Sequence, residues 1–164
     1  MNKRGNVFDA MHIGIALLVL FLFIIVALII IGAFNTAFQN ATLSQTSKDA
    51  STSIATRAPS WFDGGFIVVY IGLIIAAIIG AYMIETSKIF FVFSIIVLGI
   101  ILVISIGISN IYDSLANNPT INPYLASIPI TSFLMNNYAI QILIIGFAIL
   151  IALFGKPTGG GNFA

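Results

Sequence analysis

Long apolar runs alternate with short polar connections along this chain. From Ile13 to Phe34 only Gly14 and Gly32 interrupt an unbroken apolar stretch, and no charge occurs between Ala10 and Ser47. A helix rising 1.5 Å per residue needs about 20 such residues to cross a hydrocarbon core of about 30 Å. The same test selects residues 65–84, 89–109 and a final run that ends at Phe154. A barrel wall would require alternating polar positions, whereas these runs are apolar on every side. The pattern therefore predicts an all-α, polytopic integral membrane protein with four transmembrane helices, over about 13–34, 65–84, 89–109 and 132–154. The chain reads as a single membrane domain.

The connections differ in kind. Between the second and third runs only Glu85, Thr86, Ser87 and Lys88 intervene, which predicts a tight antiparallel hairpin with an ordinary Glu85–Lys88 ion pair. The outer segment 35–63 is long and rich in Ser and Thr. Phe34, Phe38 and Ala41 continue a helical spacing, so the first helix is expected to protrude for two or three turns. Pro59 to Asp63 then read as a turn, with Trp61 as an anchor at the headgroup level. The second outer segment, 110–131, contains Pro119, Pro123 and Pro129 among apolar residues and is expected to lie in the interface or dip into the bundle. Thr131 or Ser132 is the expected cap of the last helix, and Gly155 and Pro157 end it before a Gly-rich tail, 155–164.

Composition narrows the function classes. Of 164 residues, 60% are apolar and 7% charged, with a net charge of +1 and no Cys. Soluble domains average about 25% charged residues, and nucleic-acid binding needs a basic face that this chain cannot supply. Lys3, Arg4, Lys88 and Lys156 fall on one side of the predicted membrane and Lys48 and Arg57 on the other, so both termini are expected on the cytoplasmic-equivalent side. The first run is longer than a signal-peptide core and no small-residue cleavage site follows it, so it reads as a retained helix.

Candidate chemistry is sparse. His12 has only Asp9 as a nearby acid and reads as an interfacial residue. The four runs contain no Asp, Glu, Lys, Arg or His, the groups that pumps, proton relays and charged-substrate transporters keep in the membrane. Ser94, Ser105, Asn136, Asn137 and Gln141 are the remaining candidates for a polar path, with interhelical hydrogen bonding as their default role. Gly72, Ala76 and Gly80, spaced four apart with Ala77 and Ala81 beside them, form a small-residue face for close helix packing. Its expected neighbour is another helix of this chain, with a second copy as the alternative. Asn40-Ala41-Thr42 spells a glycosylation acceptor that reads as a chance match. No catalytic, cofactor or metal site is expected.

The start Lys3-Arg4-Gly5-Asn6-Val7-Phe8-Asp9, running directly into a long Ile, Leu and Phe helix, resembles that of small membrane proteins from tailless icosahedral lipid-containing viruses of bacteria and archaea. The likeness covers roughly the first forty residues. It implies a structural protein of the internal virion membrane, in register with an overlying capsid shell. Read from the residues alone, the expected role is structural or scaffolding, with a lipid bilayer, other protein subunits and a homo-oligomer as partners. The alternative is an accessory subunit of a cellular membrane complex. A channel or holin-like pore ranks behind both, and an enzyme behind that.

Overall fold

The computed structural model describes residues 8–83 and 88–155, with the side chains of 8–14 and 88–90 left aside. Among the described residues every regular element is a helix: α1 (Phe8–Asn40), α2 (Gln45–Tyr82), α3 (Lys88–Ala116), α4 (Asn122–Ala126), α5 (Pro129–Asn136) and α6 (Tyr138–Phe154). Three of them are long and apolar enough to cross a membrane, or four if the bent pair α5–α6 is taken as one span. Lys3, Arg4, Glu85 and Lys156 lie outside the described residues, as does most of the Gly-rich tail.

Each long helix carries an inward row of large apolar residues. On α1 this row is Leu17, Phe21, Ile24 and Leu28; on α3 it is Val97, Ile101, Ile108 and Tyr112. Steps of three, four and seven residues hold such rows on one side of a helix, where neighbours interlock along nearly parallel axes. α1 pairs with α2, α2 with α6, and α6 with α3, while α3 closes the ring more weakly against α1. The tight α2–α3 hairpin expected from the four-residue connection is therefore not a principal pairing among the described residues. α6 runs between the two helices and packs on both.

The helices also extend further than hydropathy indicates. The expected loop 35–63 is a helical hairpin: α1 continues to Asn40, and after a four-residue turn Ser44 caps α2 by accepting the Ser47 N–H. α2 then runs unbroken through Pro59, so the expected turn there is absent and Trp61 lies within a helix. Pro59 removes the partner of the Ala55 carbonyl. Ala55 is only half-buried, so water can take that partner's place.

The expected loop 110–131 is likewise mostly helical. α3 reaches Ala116, and both short helices that follow have proline in their first turn, at Pro123 and Pro129. Proline favours that position because its missing N–H would be unpaired there in any case. The expected final helix 132–154 is two helices bent by 74° at Asn137. Neither Thr131 nor Ser132 caps it. Ser132 instead donates to the Leu125 carbonyl, tying α5 to the end of α4.

Candidate functional site

The polar groups of the described bundle gather towards the end that carries the α1–α2 hairpin, in two clusters. The first holds α5. Asp63 on α2 is 5% exposed, and its carboxylate accepts the backbone N–H of Thr131 at 2.7 Å and of Ile130 at 3.1 Å. The first N–H groups of a helix have no partner within it, and their partial positive charge suits an anion. A carboxylate from a neighbouring helix supplies what a local Ser or Thr cap would otherwise provide. Two helical turns further along α2, the Tyr70 hydroxyl donates to the Gln141 side-chain carbonyl, joining α2 to α6. The Tyr138 hydroxyl and the Thr131 Oγ1 are buried nearby in the chain without a protein partner.

The second cluster closes the α1–α2 hairpin. Asn35 accepts from Ser51 at 3.0 Å, and the Gln39 amide donates to Thr52 Oγ1 at 3.0 Å and to the Lys48 carbonyl at 3.1 Å. Lys48 Nζ returns a bond of 2.9 Å to the Gln39 carbonyl, at the end of α1 where carbonyls lack helical partners. Each bond contributes about 0.5–1.5 kcal/mol. Together they hold two helix ends that little apolar burial would otherwise fix.

Of the residues singled out by sequence, the small-residue face lies elsewhere than expected. Gly72 and Ala76 are exposed and Gly80 is half-buried, and a Cβ built on Gly72 or Gly80 meets nothing within 4 Å. Among the described residues the face is therefore not covered by another helix, although Ala81 beside it is buried. Close approach occurs instead at Gly146, where a Cβ would collide with Leu98, and at Gly32, where it would lie 2.9 Å from the Tyr124 hydroxyl. Trp61 is 64% exposed on α2.

The candidate polar path does not assemble. Ser105 donates to the Ile101 carbonyl of its own helix, Gln141 is engaged by Tyr70, and Asn137 donates to the Phe133 carbonyl. Ser94 is buried four residues before Leu98, towards the opposite end of α3, while Asn136 is exposed. The His12 side chain lies outside the described residues. Among those described, no group of three or more His, Cys, Asp or Glu is placed to hold a metal.

The fold and these clusters define a class: an all-helical bundle with three or four helices of membrane-spanning length and apolarity, and with its polar contacts concentrated at one end. No protein-family model, curated protein or solved structure matches the chain.

Proposed function

We propose that the protein is a non-enzymatic, scaffolding integral membrane protein, whose apolar helices are embedded in lipid and whose α1–α2 hairpin stands off the surface to meet other subunits. The hairpin carries this reading. α3 ends four residues beyond Tyr112, which packs on Phe21, whereas α1 continues nineteen residues beyond Phe21. Its outer part is a braced two-helix post bearing exposed Ser, Thr, Asp and Arg. A connection between helices needs only a few residues. A braced post of this length suits contact with a covering layer. The amino-terminal resemblance favours a capsid shell over an internal virion membrane as that layer, and the distribution of basic residues favours both termini on the cytoplasmic-equivalent side.

Single cysteines introduced at Ser53 and Met83, exposed near opposite ends of α2, are expected to label from opposite sides of the membrane. Labelling of both from one side overturns the crossing. Deleting residues 46–56 removes roughly three helical turns. The shortened protein is expected to insert normally and to lose incorporation into its particle or complex; wild-type incorporation overturns the scaffolding role. Reconstituted alone, the protein is expected to conduct no ions, because no polar path crosses the described bundle. Reproducible single-channel currents overturn that expectation.

A further inference from the structure

The apolar runs are not level with one another. Phe91 packs on Phe154 at one end of the α3–α6 pair, and Tyr112 packs on Phe21 near the other. From Phe91 to Tyr112 the helix rises about 32 Å, close to the thickness of one hydrocarbon core. Tyr70 meets Gln141 and shares a groove with Leu17, so the apolar half of α2 occupies the same level. The apolar run of α1, residues 13–34, is displaced outward by about 20 Å relative to these three. One bilayer cannot cover both levels.

Lipid placed around α2, α3 and α6 leaves a stripe of α1 at and beyond its outer edge. Phe23, Val26, Ile30 and Phe34 are 65%, 53%, 61% and 58% exposed there. The stripe has a regular geometry. Val19, Phe23, Val26, Ile30, Ala33 and Ala37 are all exposed and recur in alternating steps of four and three, the repeat by which two helices interlock. Each lies two residues after a member of the inner row Leu17, Phe21, Ile24, Leu28, Ile31 and Asn35, hence on the opposite side of α1. The inner row is already engaged in the bundle.

We propose that the outer seam is covered by α1 of a second copy, the two helices running parallel about a twofold axis along the membrane normal. This inference rests on the membrane reading above. A bilayer presents copies in one orientation, so parallel pairing sets each seam against its equal at the same height. No charge occurs on α1 between Ala10 and the end of the helix, so identical faces meet without repulsion. Ala33 and Ala37 let the backbones approach at the outer end, beyond lipid. The contact is isologous, so it closes at a dimer and does not propagate.

The natural absence of Cys allows a direct test on the full chain in liposomes. Ile30→Cys and Ala33→Cys are expected to give a disulfide-linked dimer as the dominant product when copper phenanthroline oxidises the paired thiols. Val103→Cys, 70% exposed on α3 within the proposed lipid belt, is expected to remain monomeric. A fluorophore at position 103 is expected to be quenched by lipid-borne spin labels, and one at position 33 is not. Loss of quenching at 103 sinks the membrane reading; quenching at 103 with no cross-link at 30 or 33 sinks the dimer alone. Ile30→Glu lies on the surface of the fold and is expected to halve the mass measured by light scattering. An unchanged mass, or cross-links equally strong at position 103, overturns the seam.

Discussion

Asp63→Ala is expected to lower the stability of the bundle by about 2–3 kcal/mol, the largest effect of any single polar truncation in the described structure. Two terms add. The variant loses two hydrogen bonds to an ionised acceptor, each stronger than a neutral bond, and leaves the N–H of Thr131 buried without a partner. Alanine can neither accept those protons nor fill the space that brings α2 against α5. Asp63→Asn separates the terms. Its amide oxygen can retain one bond while its NH2 group faces the second N–H, so a loss of about 1–2 kcal/mol is expected. Reversible unfolding in mixed micelles measures both variants, and hydrogen exchange at Ile130 and Thr131 locates the change. Equal stability of wild type and Asp63→Ala would remove Asp63 as the group that holds α5 over the bundle.

Asp63 also shows where sequence reading stopped. The apolar middles of α1, α2 and α3 were legible, because a run of about 20 apolar residues has few ways other than a helix to satisfy its backbone away from water. The helical extensions were less so. Asn35, Gln39, Lys48, Ser51 and Thr52 look like loop material one by one, since Ser, Thr and Asn favour turns in isolation. Their cross-helix bonds form only once α1 and α2 are side by side. Pro123 and Pro129 were read as breaks, yet each lies in the first turn of a short helix, a distinction made by one residue of register. Asp63, between Phe62 and Gly64, looked like the end of a turn because its partners are 67 and 68 residues away. Nothing local announces such a pairing. A signal was nonetheless present: α5 starts behind Pro129 with no Ser, Thr, Asp or Asn at the preceding position, so its cap had to come from elsewhere in the fold.

Helix packing gives the second large effect, and it falls at a glycine that spacing did not single out. Gly146→Leu is expected to destabilise the bundle by about 1–3 kcal/mol, while Ala76→Leu leaves the isolated protomer nearly unchanged. Sequence spacing singled out Gly72, Ala76 and Gly80 as the small-residue row. That row identifies a face able to pack closely without indicating which way the face turns. On α2 it turns outward, into open space around Gly72 and Gly80. On α6 the buried row Tyr138, Ile142, Gly146, Leu150 and Leu153 faces inward, and Leu98 of α3 fills the volume that a side chain at Gly146 would need. Alanine there requires only that the Leu98 side chain move, since the colliding atoms are its terminal methyls. Leucine adds three more carbons, which must displace Leu98 into neighbouring Val97 and Ile101 or push α3 and α6 apart. The pairing Gly146→Leu with Leu98→Ala is therefore expected to recover part of the loss, because the second change vacates the contested volume. Thermal or detergent-induced unfolding of the two single variants and the double variant decides the matter. Additive losses, with no recovery in the double variant, would show that Gly146 and Leu98 do not share that space.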